Sequence, residues 1–568
     1  MNLNLEAKKQ NTFDAIVVGT GISGGWAAKE LTEKGLKTLV LERGRNVKHV
    51  VDYPTMTKNP WEFPNAGRLT HEEQKLYPVQ SRTGWIGQGN KHWWVNDLEN
   101  PYTEVKPFDW IRGYHVGGRS IMWGKQTYRL SDLDFEANAK EGIGVDWPIR
   151  YKDLAPWYDY VESYIGVSGR SEGLEHLPDG KFLPPMDLNC VEEVFRDKLA
   201  SKMGRTVTIG RVAHLTSALP HAPTRGVCQS RNLCDRGCPF GAYFSSNAST
   251  LPAAEKTGNM TLRPHSIVQS IIYDESKGKA VGVKVLDAET KEEIDYFANI
   301  IFLNASTLGS TFILLNSTSQ RFPNGLGNSS GQLGKNLMDH QYRVGAEADV
   351  EGFEDSYYIG RRPNGIYIPR FRNVGKDKRT DYLRGFGYQG SASREGWMHG
   401  VKEMLYGADL KNALTTPGAW KIGITGFGEC LPYENNAVTL NHDKKDAFGL
   451  PTLSIDAEWK ENEKVMRKDM KESAAEMLEA AGFKNVRMYD NQNNIGLGIH
   501  EMGTARMGKD PKTSVLNKWN QVHEAPNVFV TDGAAMTSSA CQNPSLTYMA
   551  LTARAVNHAV EELKKGNL

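Results

Sequence analysis

The 568-residue sequence has no apolar run of the roughly 18 residues that a bilayer-crossing helix needs, so no membrane span is expected. It has no excess of either charge. Lys plus Arg is 68 and Asp plus Glu is 67, a net charge of +1, and no basic stretch is present to neutralise phosphates, so nucleic acid is excluded as a partner. The opening residues, MNLNLEAKKQNTFDAIVVG, lack an apolar signal region and a twin arginine, so by its own signals the chain is expected in the cytoplasm. Cysteines are few, six in all, and too uneven for a disulfide framework: Cys190, Cys430 and Cys541 stand alone, whereas Cys228, Cys234 and Cys238 fall within eleven residues. There is no internal repeat and no low-complexity linker.

Glycine is abundant at 56, with 13 Trp, 22 Tyr and 19 Phe, a composition that suits a loop-rich enzyme with aromatic-lined pockets. Asp14 to Val18 is a short apolar run ending at Gly19; an amphipathic stretch to Lys34 follows, stopped by Gly35, and then a strand from Thr38 to Leu41. This pattern predicts a β-α-β unit. Residues 50–107 are polar, aromatic and Pro-rich, which predicts long loops around a site. Ile267 to Tyr273 and Ala280 to Val285, joined by Asp274 to Gly278, predict a hairpin, and Ile300 to Leu303 and Val528 to Thr531 predict buried strands of the first sheet. Between them, residues 343–494 alternate strands with one clear helix, Asn462 to Ala481, and the chain closes on a helix from Pro544 to Lys565.

Gly19-Thr20-Gly21-Ile22-Ser23-Gly24 has the form G-x-G-x-x-G. Its glycines allow a tight turn, close approach to a pyrophosphate and close packing of helix on strand, and the helix start offers N–H groups and a positive dipole end to phosphate. The pattern follows a strand and opens a helix, and Glu42 ends the next strand, where it can accept hydrogen bonds from ribose hydroxyls. The fingerprint alone does not choose between FAD and NAD.

Three further segments in order resemble the glucose-methanol-choline (GMC) oxidoreductase family: Val116-Gly117-Gly118-Arg119-Ser120-Ile121-Met122-Trp123-Gly124, Gly334-Lys335-Asn336-Leu337-Met338-Asp339-His340, and the stretch from His500 to Thr547. The resemblance implies an α/β fold, α+β overall, in which an FAD-binding Rossmann-type domain is interrupted by a substrate domain built on an antiparallel sheet. The division expected is 1–134, 226–340 and 495–568 for the FAD domain and 135–225 and 341–494 for the substrate domain. Gly117, Gly118 and Ser120 resemble the family's flavin loop, Asp532-Gly533-Ala534 its flavin-contacting turn, and Arg43, Trp123, Val268, Asn543 and Ser545 are expected beside the cofactor. Relatives that attach their flavin covalently carry histidine where this chain has Met122, so FAD is expected to be non-covalent. Asn304-Ala305-Ser306-Thr307-Leu308-Gly309 lacks the proline of the family's second signature, which marks a divergent branch.

His500-Glu501-Met502-Gly503-Thr504 resembles the segment whose histidine is the catalytic base, and an imidazole titrating near neutrality suits removal of a hydroxyl proton as hydride leaves. Asn543 stands where the family has His or Asn and can donate to the substrate oxygen; Asn543-Pro544 also fits a helix N-cap with proline at the first helical position. Cys228, Cys234 and Cys238-Pro239 resemble the segment that holds a 3Fe-4S cluster in membrane-linked gluconate, fructose and glucose dehydrogenases; buried, reduced packing thiols are the other reading.

The resemblance is to sugar-oxidising members, and the expected activity is glucoside 3-dehydrogenase-like oxidation of a secondary alcohol of a sugar or glycoside. Trp85, His92, Trp93, Trp94, Trp397, Met398 and His399 are candidates to stack on sugar faces. A gluconate 2-dehydrogenase-type flavoprotein subunit and a sugar oxidase using O2 are alternatives. An NAD-linked flavin reductase is disfavoured by the single dinucleotide fingerprint, and a non-catalytic flavin-fold binding module by the presence of both His500 and Asn543. A cytochrome, quinone or dye is expected to take the electrons. A small signal-bearing partner subunit, found with relatives that share the cysteine run, would carry the chain to the periplasm.

Overall fold

The structure is a computed structural model, described here for residues 11–356, 365–396, 405–415 and 417–568. Trp397, Met398 and His399 lie outside the described residues.

An eight-stranded sheet carries the cofactor turn. Its strand Thr12–Val18 lies parallel to Thr38–Leu41 on one side and to Glu293–Leu303 on the other; Met260–Arg263 and Ala525–Val530 extend the parallel set outward. The hairpin Ser266–Asp274 with Lys279–Asp287 adds antiparallel to the first half of Glu293–Leu303. Apolar runs without polar alternation form these strands because both faces are covered. Ala15, Val17, Val40, Ile300 and Phe302 pack with Ala27, Ala28 and Leu31 of the helix Ile22–Glu33 and with Ala555, Val556 and Ala559 of the helix Ser545–Lys564. Their neighbours Ile16, Val18, Leu39, Leu41, Ile301 and Leu303 point the other way into the main core.

A six-stranded antiparallel sheet runs in the order Lys484–Asp490, Val344–Val350, Trp420–Gly428, Phe386–Arg394, Ile366–Ile368, Thr208–Ile209. One face is sealed by the helices Glu461–Ala480 and Cys190–Met203, through Met466, Met470, Ala474, Met477, Phe195 and Leu199 against Val344, Ala346, Ile422, Ile424 and Tyr388. Because strand side chains alternate, Gln389 and Phe427 project from the opposite face, where they meet Asn543 and the rings of His340 and His500. Residues 50–107, expected as loops, contain several short helical turns, including His71–Leu76 and Pro78–Thr83.

Candidate active site

One continuous cavity of about 740 Å³ is lined both by the glycine turn and by His500 and Asn543, within the roughly 300–1,000 Å³ usual for cofactor and ligand sites. Gly19, Gly21, Ser23, Glu42, Arg43, Gly118, Ser120, Met122, Trp123, Val268, His500, Asp532, Gly533, Asn543 and Ser545 all line it. Gly24, Gly117 and Ala534 do not. Gly24 faces back onto the turn, where a Cβ would stand 2.0 Å from the Gly19 carbonyl oxygen. Gly117 donates its N–H to Thr20 Oγ1 at 2.9 Å, and the Ala534 N–H donates to Asp532 Oδ1 at 3.0 Å.

The turn fits a dinucleotide. Gly21 caps the helix Ile22–Glu33 with no side-chain hydrogen bond, so the first N–H groups stay free for an anion, and a Cβ on Gly21 would meet nothing within 4 Å. Glu42 is buried at the end of its strand, and burial pushes its carboxyl upward. Its Oε2 accepts from Thr20 Oγ1 at 2.5 Å and its Oε1 from the Gly44 N–H at 3.0 Å, which leaves lone pairs for ribose hydroxyls. Asn304 Nδ2, against the glycine turn itself, and the Tyr548 hydroxyl are buried without a hydrogen-bond partner, and both residues line the cavity. Buried polar groups of this kind are ordinarily satisfied by a ligand or water. The open helix start, the buried Glu42 carboxyl and the unpartnered Asn304 and Tyr548 groups fit a dinucleotide such as FAD.

His500 and Asn543 lie at the other end. Ile499 is held in the left-handed region at φ 57°, and Asp339 pins the turn by accepting the N–H groups of Gly496 and Gly498 on Oδ2 (2.8 and 2.9 Å) and of His500 on Oδ1 (2.9 Å). Burial, with the charge of Glu501 adding to it, raises the Asp339 carboxyl to about 7. The His500 ring packs edge-on against His340, with Nδ1 of each 2.8 Å apart. Burial, helped by His340 and Arg119, pulls its titration well below the ordinary histidine value, so it stands neutral and able to take a proton. Arg119 makes a 2.9 Å ion pair with Glu501 beside it.

The N-cap reading of Asn543 is corrected. The helix Ser545–Lys564 is capped at Pro544 with no side-chain hydrogen bond, and Asn543 Oδ1 instead accepts from Gln389 Nε2 at 2.6 Å. Of the expected sugar-stacking residues, Trp85 and Trp94 line the cavity with buried, unpartnered indole N–H groups, whereas Trp93 is buried in a satellite core with the His92 ring tilted against it, centroids 4.2 Å apart.

The iron-sulfur expectation finds no support. Cys228, Cys234 and Cys238 are half-buried and free, and among the described residues no group of three or more His, Cys, Asp or Glu side chains could hold a metal ion. Burial raises the titration of Cys228 and Cys234. Cys-x5-Cys-x3-Cys spacing supplies the ligand type, and the local chain path decides the geometry.

Gln389, His340, Thr20, Asn304 and Tyr548 were not singled out from sequence. Thr20, Asn304 and His340 stand inside the fingerprint, the second-signature stretch and the Gly334–His340 turn, and that was their signal; Tyr548 lies one helical turn beyond Pro544, and Gln389 carried none.

A parallel sheet with a dinucleotide turn, joined through one long cavity to a second sheet that roofs a histidine and an amide, defines an oxidoreductase with a nucleotide cofactor. GMC oxidoreductase models match residues 13–342 and 432–552, and the chain belongs to the GMC oxidoreductase family. It is 29% identical to 2-methyl-1,2-propanediol dehydrogenase of Mycolicibacterium austroafricanum, over 95% of this chain and 94% of that protein. It is 27% identical to the fructose dehydrogenase large subunit of Gluconobacter japonicus, over 97% and 98%. The fold resembles the solved formate oxidase of Aspergillus oryzae with a TM-score of 0.60 at 16% identity, covering 98% of this chain and 99% of that one. Among the described residues no helix is long and apolar enough to cross a membrane.

Proposed function

We propose that the chain binds FAD without a covalent bond and dehydrogenates a secondary alcohol of a sugar or glycoside. The observation that carries this reading is that Gly21, Met122, His500 and Asn543 all line one cavity. Bound FAD supplies the acceptor for the hydride that leaves the carbinol carbon. His500 takes the hydroxyl proton; burial keeps its ring neutral and so able to accept, although its titration lies below the near-neutral value expected from sequence. Asn543, its Oδ1 already engaged, turns Nδ2 toward the substrate oxygen and holds the C–H in line. Trp85 and Trp94 supply apolar ring faces and indole donors suited to a polyol. Met122 offers no atom for a covalent flavin link.

The strands of the eight-stranded sheet come from residues 12–41, 260–303 and 521–530, and those of the antiparallel sheet from 208–209, 344–428 and 484–490. This supports a cofactor domain formed by 1–134, 226–340 and 495–568 and a substrate domain formed by 135–225 and 341–494. Likeness to a protein named a large subunit favours a small partner subunit and a cytochrome, quinone or dye as acceptor over O2. Likeness to a diol dehydrogenase favours, as a second reading, a small vicinal diol as substrate.

Anaerobic mixing of the yellow protein with hexoses, gluconate, methyl glucosides and 1,2-diols, followed at the flavin band, tests the reading. A sugar or glycoside is expected to bleach the flavin, and His500→Ala to retain FAD and lose at least about 10²-fold in the bleaching rate. Bleaching by none of them, or an undiminished rate in the variant, removes the proposed activity or the proposed base respectively.

A further inference from the structure

The His340 ring makes two hydrogen bonds, and together they settle where its protons are. Nε2 lies 2.5 Å from the Ala540 carbonyl oxygen, which can only accept, so Nε2 carries the hydrogen. Ala540 sits in the left-handed region at φ 73°, an unusual conformation for a residue with a Cβ, and there its carbonyl meets the ring. In a neutral imidazole the other nitrogen is then a bare acceptor. His340 Nδ1 is 2.8 Å from His500 Nδ1, a separation that needs one hydrogen between them, and only His500 can supply it.

Resting on the reading of His500 as base, we propose that His340 is a positioning residue that locks His500 in the Nδ1–H tautomer and leaves Nε2 as its bare nitrogen. Among the described residues Nε2 of His500 has no hydrogen-bond partner, and His500 lines the cavity. The orientation of one ring nitrogen by a hydrogen bond at the other is the general way a histidine base is set. Here the orienting group is a neutral imidazole, itself set by a main-chain carbonyl. Burial supports the neutral state by pulling the His340 titration down to about 4. Asp339, the preceding residue, holds the His500 main chain, so two adjacent side chains of one turn fix both the backbone and the ring of the base.

Nitrogen-15 spectra of the FAD-loaded, histidine-labelled protein report this directly, because the neutral tautomers have different ring-nitrogen shifts. The His500 signals are identified by their loss in H500A. In the wild type, His500 is expected as Nδ1–H. His340→Asn places an amide oxygen near the position of Nδ1 and should preserve that form; His340→Leu removes the acceptor and should move His500 to Nε2–H or to a mixture. Per bound flavin, H340L should slow reduction by the best panel sugar about 10- to 100-fold with KM little changed, and H340N should restore most of it. If H340L does not retain FAD, His340→Gln, which keeps a donor toward Ala540 and withdraws the Nδ1 acceptor, is read in its place. Wild-type His500 found as Nε2–H, or a tautomer indifferent to H340L and H340Q, overturns the proposal. An H500A enzyme that still reduces flavin fully while the tautomer behaves as described overturns the base and leaves the lock intact.

Discussion

Gln389 Nε2 donates a 2.6 Å hydrogen bond to Oδ1 of Asn543, across 154 residues of chain, and so joins a strand of the antiparallel sheet to the start of the helix Ser545–Lys564. The bond turns the Asn543 oxygen toward Gln389 and so orients its NH2 away from that strand. Gln389→Leu removes the donor and lets the Asn543 amide turn over. Its expected effect is a fall of about tenfold in the limiting rate of flavin reduction, of the size of one hydrogen bond of roughly 1.4 kcal/mol, with flavin content unchanged. An unaltered rate in stopped-flow reduction would remove Gln389 from the orienting role.

The cofactor turn makes a sharper contrast between two glycines. A Cβ at Gly21 meets nothing within 4 Å, and its φ of −66° suits any residue, so Gly21→Ala should fold and melt like the wild type. The added methyl group would occupy space that the proposed pyrophosphate needs against the helix start, so flavin content should collapse. A Cβ at Gly24 stands 2.0 Å from the Gly19 carbonyl oxygen, so Gly24→Ala should lower the melting temperature of the apoprotein itself. Flavin absorbance per protein and thermal melting of both apoproteins separate the two. Full flavin in G21A would mean that the turn does not carry the phosphates.

Asp339 gives a pH signature. Its carboxyl rises from the ordinary 3.8 to about 7, chiefly through burial. A raised carboxyl contributes stability that is fully present below the unfolded value, near pH 4, and is lost as pH rises through about 7. Asp339→Asn abolishes this dependence, although Nδ2 cannot accept the main-chain N–H groups that the carboxylate takes. The variant should therefore be less stable than the wild type at pH 4.5, and the gap should narrow toward pH 7.5 by up to about 3 kcal/mol. Melting temperatures of the two proteins at three pH values test the sign; a gap that widens with pH contradicts it.

Where a property is local, the sequence carries it. Gly19, Gly21 and Gly24 announce a turn because dihedral freedom and close approach are needed within six residues, and the apolar runs at 15–18 and 300–303 announce strands buried on both faces. The end of the last helix is displaced by one residue because Asn543, a good cap by type, is claimed by Gln389 from another sheet. His340 and His500 lie 160 residues apart, and no periodicity or spacing encodes a ring-to-ring hydrogen bond over that separation. The cysteine run shows the reverse case: residue type and spacing suggest a ligand set, but among the described residues no group of three or more His, Cys, Asp or Glu side chains is placed to hold a metal ion. Pairings made by tertiary folding are what sequence periodicity cannot express.

Met122 lines the cavity at the end of the helical turn Gly118–Ile121, where its thioether packs beside Val47, Tyr53, Trp93 and Ile121. A thioether forms no stable bond to a flavin carbon under these conditions, whereas an imidazole nitrogen can. Acid precipitation of the purified protein should leave all the yellow colour in the supernatant, and the released cofactor should run with authentic FAD. His115 is buried nearby, with burial holding it neutral at about 4, but it does not line the cavity, and its Nδ1 contacts the Val116 carbonyl oxygen at 3.1 Å. A pellet that stays yellow would point to that histidine or another side chain as an attachment point and would overturn the non-covalent reading; a colourless pellet in the wild type, with colour retained in Met122→His, would show that residue 122 alone determines how the flavin is held.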